Sequence, residues 1–142
     1  MMLKLKRIDN LDILCRDLEA VATFYHETLG LEYFLPFQPE QGWAAVSAGN
    51  LTIYIFQTDV GEHAPRRTAI NEENAPGFDS VAFDVDDLDE ALAALEGKVT
   101  WAHPEVITWK HPSGVWYRYR PFYDPEGNMV YVTEPHTGPA DA

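Results

Sequence analysis

IDNLDILCRDLEAV at residues 8–21 and FDSVAFDVDDLDEA at residues 78–91 overlie one another at a shift of 70. Asp9 meets Asp79, Asp17 meets Asp87, and Leu18 meets Leu88. Each copy opens on an alternation. Leu11, Ile13 and Cys15 share one parity against Asn10, Asp12 and Leu14, and Val81, Phe83 and Val85 share one against Ser80, Ala82 and Asp84. A period of two is the signature of a strand with one apolar face. Each copy then places an aspartate where a helix needs its N-cap. Asp17 precedes a helix predicted over 18–29, and Asp86 or Asp87 precedes one over 88–95. Gly30 and Gly97 stand where each helix must stop.

Outward from these copies, three short runs at 32–37, 43–48 and 51–57 follow the first, with Gly49-Asn50 as a tight hairpin turn. The second is followed by strands near 98–102, at 115–123 and at 128–133, with a short possible one at 106–109. Asp124-Pro125-Glu126-Gly127 reads as the last turn. The closing strands also match, LTIYI at 51–55 against NMVYV at 128–132. Neither β-α-β-β-β unit can bury a sheet face well alone. The expected fold is therefore α+β: two tandem βαβββ modules, 8–57 and 78–134, in one domain spanning 1–142. They form a curved eight-stranded sheet with helices on its convex side. Residues 58–77 are polar, carry two prolines and read as a surface linker; the tail EPHTGPADA should fray.

The 142 residues hold 10 Lys+Arg against 23 Asp+Glu, a formal charge of −13. That balance argues against a nucleic-acid or anionic-membrane partner. One cysteine, Cys15, excludes an internal disulfide and falls on the helix-packing parity. No apolar run reaches the length of a membrane span, and MMLKLKRIDN lacks the apolar stretch of a secretory signal, so a cytoplasmic protein is expected.

The segment FYHETLGLEY at 24–33, its echo VAFDVDDLDEAL at 81–92, and FYDPEGNMVYVTEP at 122–135 resemble the vicinal oxygen chelate superfamily. That superfamily comprises glyoxalases, bleomycin-resistance proteins and extradiol dioxygenases. The resemblance covers roughly residues 8–134. It implies the paired-module fold and a ligand cup on the concave sheet face, and commonly a homodimer. Metal-dependent members carry four His or Glu ligands at positions that here hold Asn10, Tyr54, Ser80 and Tyr131. This departure implies a metal-free member with no cofactor. The histidines do not replace those ligands, since none has ligand-pair spacing. His26 is placed on the polar side of the first helix and His63 in the linker. His103 and His111 precede prolines in a loop that could approach the cup mouth, and His136 is in the tail.

Strand parity sends Asn10, Asp12, Tyr54, Phe56, Ser80, Asp84 and Tyr131 to the concave face. A four-residue last turn would oppose Tyr123 with Asn128, which adds Phe122, Arg120 and Arg118 to that face. Trp109 and Trp116 flank a Pro-Ser-Gly turn and are candidates for a pocket lid. Aromatic walls with a few convergent polar groups describe a small-molecule site. The competing arrangement pairs Asp12 or Asp84 with Arg120 and closes the cup with salt bridges. The leading function is sequestration of an organic ligand, cationic and aromatic by the charge of the chain. The alternative is a lyase or isomerase with Asp12 or Asp84 as general base and Tyr54 or Tyr131 as acid. A third is an accessory protein whose cup is filled by its own side chains.

Overall fold

The computed structural model describes residues 2–62, 67–68 and 74–137. His63, much of the 58–77 segment and the tail beyond 137 lie outside the described residues. The chain divides into two units, Met1–Glu62 and His63–Ala142.

The first unit runs β1 (Asn10–Cys15), α1 (Leu18–Thr23), a π-helical turn (Phe24–Thr28), β2 (Glu32–Leu35), β3 (Trp43–Ser47) and β4 (Thr52–Gln57). Its sheet has the order β1-β4-β3-β2. The second runs β5 (Val81–Asp84), α2 (Leu88–Leu95), β6 (Thr100–Trp101), β7 (Ile107–Lys110), β8 (Val115–Tyr123) and β9 (Met129–Thr137). Its sheet has the order β5-β9-β8-β6, with β7 also on β8. Among the described residues the α+β architecture thus holds four strands in the first unit's sheet and five in the second's.

The repeat is visible atom by atom. Asp17 Oδ1 accepts from the Ala20 amide at 3.1 Å, and Asp87 Oδ1 accepts from the Glu90 amide at 3.1 Å. Each aspartate thus satisfies one of the amides a helix start leaves without a partner. The leading strand of each unit runs parallel to its closing strand in the same frame, Asp12 beside Tyr54 and Ala82 beside Tyr131. Between helix and sheet, Ile13, Cys15, Ile53 and Ile55 are buried in the first unit, and Leu88, Val130 and Val132 in the second. This is the apolar parity read from the sequence.

Two helical details differ from expectation. The first helix is not α-helical to residue 29: from Phe24 it widens into a π turn, where Leu29 N donates to Phe24 O at 3.0 Å and Leu31 N to Tyr25 O at 3.1 Å. His26, expected on the polar side of the helix, is half-buried. Its ring stacks on Tyr33 with centroids 4.1 Å apart, and its Nδ1 donates to Leu31 O at 2.7 Å.

The last hairpin departs furthest. Asp124 N donates to Asn128 O at 2.9 Å and Gly127 N to Asp124 O at 3.0 Å, which makes a three-residue loop closed by Gly127 at φ 88°. A type I turn followed by a left-handed residue is a G1 bulge, and glycine enters that conformation without Cβ strain. Asp124 Oδ1 reinforces it by accepting from Glu126 N and Asn128 N at 3.0 and 2.9 Å. Tyr123 therefore opposes Met129, one residue on from the expected register. A slip of one turns a strand over. Arg118, Arg120 and Phe122, expected in the cup, lie on the helix side with Glu134, Val132 and Val130 opposite them. Trp116, expected in the lid, shares that side and stacks on His136 at 4.0 Å.

Candidate functional site

The slip that removes the arginines brings tyrosines to the open face of the second sheet. Tyr119 opposes Thr133, and Tyr117 opposes Pro135. Across β8, Trp109 pairs with Tyr117 and Ile107 with Tyr119. Ala82 and Asp84 come from β5, beside Tyr131 and Thr133. A cavity of about 270 Å³ opens here, lined by Ala82, Trp109, Tyr117, Tyr119, Tyr131 and Thr133. Tyr119 and Tyr131 stack with centroids 5.0 Å apart and planes 23° from parallel. Trp109 stands 5.8 Å from Tyr117 at 51°, and His111 stacks on Trp109 at 5.9 Å.

The polar groups are few. Tyr131 Oη donates to Asp79 Oδ2 at 3.3 Å. Asn74 Nδ2 donates to Asp79 Oδ1 at 2.9 Å, and Arg67 Nε lies 4.0 Å from the same oxygen. Arg67 also reaches back to Phe78 O through Nε and Nη2, at 3.1 and 2.7 Å. Burial pushes the Tyr131 phenol up to about 12; a hydrogen bond with Ser80 pulls it down, and the charge of Asp79 pushes it up again. The phenol is thus neutral at any ordinary pH. Asp84 is exposed and shares the register position of Thr133.

The expected salt-bridged closure with Arg120 is replaced by other contacts. Arg120 stacks over Trp101 at 4.0 Å and donates to His103 O and Pro104 O at 3.0 and 2.9 Å. This ties down the loop after β6. Arg118 reaches Asp89 at 3.1 Å and Glu134 at 3.4 Å. Glu134 Oε2 accepts from Leu88 N at 2.7 Å, and its Oε1 pairs with His136 Nε2 at 2.5 Å. The amide of Leu88 first, then His136 and Arg118, hold this carboxyl below the ordinary glutamate range against its burial.

Asn10, Asp12, Tyr54 and Phe56 gather on the corresponding face of the first sheet. Asn10 Nδ2 donates to Asp12 Oδ1 at 2.7 Å. Trp43, Tyr54 and Phe56 form a triangle of rings, each pair of centroids 6.2–6.3 Å apart. Tyr117, Tyr119 and Asp79 went unassigned in the sequence reading. The signal for the two tyrosines was present: glycine four residues after Tyr123, where a bulged three-residue loop needs it.

The four positions matching metal ligands of the resembled superfamily supply an amide, two phenols and an alcohol. Neutral oxygens of this kind suit a hard or borderline divalent ion poorly. Tyr131, with its raised phenol, is the least suited to lose a proton. Among the described residues no group of three or more His, Cys, Asp or Glu could hold a metal ion. No described helix is long and apolar enough to cross a membrane.

A family model of the Glyoxalase/Bleomycin resistance protein/Dioxygenase superfamily matches residues 7–132. Among solved structures, a glyoxalase/dioxygenase from Nostoc punctiforme superposes with a TM-score of 0.73 at 20% identity, covering 96% of this chain and 97% of that one. A lactoylglutathione lyase from Agrobacterium tumefaciens gives 0.60 at 26% identity, with 92% and 94% covered. A glyoxalase family protein from Enterococcus faecalis gives 0.63 at 24%, with 91% and 98% covered. No protein of curated function matches the sequence.

Proposed function

The chain belongs to the Glyoxalase/Bleomycin resistance protein/Dioxygenase superfamily, and from that premise we propose that it binds a small organic ligand without a resident metal. The ligand rests on the ring-lined face of the second sheet and is sequestered rather than transformed. The observation that carries this reading is the cavity of about 270 Å³ walled by Trp109, Tyr117, Tyr119 and Tyr131. Few convergent polar groups over aromatic walls are the usual composition of a small-molecule site. The preferred guest is an aromatic cation. Ring faces attract a cation by about 0.5–2 kcal/mol each, depending on desolvation. Arg118 and Arg120, which would have favoured an anion, point to the other side of the sheet. Asp84, beside the cavity residue Thr133, would meet the charge, and the net charge of −13 draws cations inward. The protein is read as a cytoplasmic homodimer.

Tryptophan fluorescence titrated with matched aromatic amines and aromatic acids tests the reading. Saturable quenching by the amines is expected, weakening with added salt, lost in Trp109→Ala and reduced in Asp84→Asn. Saturation by the acids alone would overturn the cation preference, and no response to either class would overturn ligand binding. Light scattering and elemental analysis of the same sample test the rest. A monomer of 16.1 kDa at high concentration, or one metal per chain that disappears in Asn10→Ala or Tyr131→Phe, contradicts the proposal.

A further inference from the structure

Four rings from three strands meet on the open face of the second sheet. Trp109 comes from β7, Tyr117 and Tyr119 from β8, and Tyr131 from β9. Tyr119 and Tyr131 lie 23° from parallel, while Trp109 is inclined 51° to Tyr117. The rings therefore make a hollow with a tilted wall rather than one flat floor. The polar atoms of the lining side chains are the hydroxyls of Tyr117, Tyr119, Tyr131 and Thr133 and the indole N–H of Trp109. The Tyr131 hydroxyl is engaged by both Asp79 and Ser80. Asp84, beside Thr133, is exposed. An exposed carboxylate draws a cation through solvent but adds little by pairing with it directly.

These groups sort cations by their hydration. A primary ammonium is a compact charge with three N–H donors and a tight water shell. Entering the hollow strips that shell, and neutral hydroxyls replace it incompletely. A fully alkylated ammonium has no donor to satisfy, its methyl groups pack on apolar surface, and ring faces still attract its charge. The chain makes a contact of this kind within itself, where the Arg120 guanidinium lies 4.0 Å over the Trp101 ring. Resting on the reading of this face as a ligand site, we infer that it is a cage for a quaternary ammonium head group on a small organic molecule. Trp109 and Tyr117 form the inclined wall and determine the specificity.

Two pairs of probes test this, titrated by NMR chemical shift into the whole chain at fixed ionic strength. Choline and 3,3-dimethyl-1-butanol share a shape, and only choline is charged. Benzyltrimethylammonium and benzylammonium share a charge, and only benzylammonium has N–H donors. Choline is expected to bind about five to thirty times more tightly than the alcohol. Benzyltrimethylammonium should exceed benzylammonium by at least about fivefold. Tyr117→Leu and Trp109→Leu keep apolar bulk and remove a ring face, so each should cut the choline preference at least about threefold. Trp109 is exposed, so its variant reports even if Tyr117→Leu fails to fold. Tyr117→Phe keeps the ring and should keep both preferences. Equal binding of choline and the alcohol, tighter binding of benzylammonium, or a preference lost in Tyr117→Phe but unmoved in the leucine variants would each overturn the inference and leave the face a ligand site. Binding of none of the four would instead remove the ligand-site reading beneath it.

Discussion

The two sheets share a repeat, a helix cap and a strand frame, yet their matching faces differ in shape. In the first unit Leu14 is 64% exposed and Phe56 36% exposed, and the rings of Trp43, Tyr54 and Phe56 cluster in a triangle. In the second unit the matching face is hollowed into a cavity. The parts held in common are the buried parity and the aspartate caps. The parts that differ are at the margin. The first sheet ends on the four-residue β2, whose pairing is irregular between Tyr33 and Leu35. The second has a nine-residue β8 with β6 and β7 along successive stretches of it, and β7 supplies Trp109 and Ile107. A repeated unit can thus keep its core and acquire a cavity by lengthening one strand and adding another.

The sharpest break between the units is expected at their phenylalanines. Phe122 is fully buried on the helix side of its sheet, whereas Phe56 lies on the open face. Phe122→Ala should cost about 3–5 kcal/mol, and Phe56→Ala well under about 1.5 kcal/mol. Urea denaturation measures both. A small loss for Phe122→Ala, with ligand binding abolished, would restore the register in which Phe122 faces the cup.

The next largest difference is expected behind the sheets. Glu134 joins β9 to the first amide of α2, while Gln57, its counterpart in the closing strand of the first unit, is exposed. Glu134→Ala should cost about 2–3 kcal/mol, because it leaves a helix amide and part of Arg118 without an acceptor. Gln57→Ala should stay within about 0.5 kcal/mol. The carboxyl is depressed in the folded state, so its contribution is full above the ordinary glutamate range and is lost as pH falls through the lower folded value. Acid unfolding of Glu134→Gln should therefore be shallower than that of the unmodified chain, and parallel curves would contradict this role.

The smallest effect concerns the two hairpins. Gly49, at φ 86°, belongs to a two-residue turn, and Gly127, at φ 88°, to the bulged loop. Alanine at either should cost about 1 kcal/mol. Only Gly127→Ala is expected to disturb the cavity as well, because only that turn sets which face of β8 the tyrosines occupy. Thermal melts compared with ligand titrations distinguish the two.

Most of the architecture was legible because its signals are local. The alternation of Leu11, Ile13 and Cys15, the aspartates at 17 and 87, and the Gly49-Asn50 turn each act within a few residues of themselves. The site was less legible because it hangs on a single turn. As a string of letters Asp-Pro-Glu-Gly admits a four-residue loop as well as the bulged three-residue loop that its glycine suits. The choice rests on Asp124, whose side chain folds onto Glu126 and Asn128. From that one decision follow the exchange of Arg118 and Arg120 for Tyr117 and Tyr119, and the departure of Trp116 from the lid. The contacts of Asp79 were hidden for another reason. Its partners Arg67 and Asn74 come from a segment without periodicity, and such segments announce no contacts.

The bond between Glu134 and the Leu88 amide also sets a clock. The opening amides of a helix ordinarily trade their protons with solvent quickly, since nothing within the helix holds them. Leu88 N is held at 2.7 Å by a buried carboxylate on another element, so its proton leaves only when α2 and β9 part. In deuterium oxide this position should therefore outlast its neighbours in the first turn. Its lifetime then measures how often the helix lifts from the back of the sheet that carries the cavity.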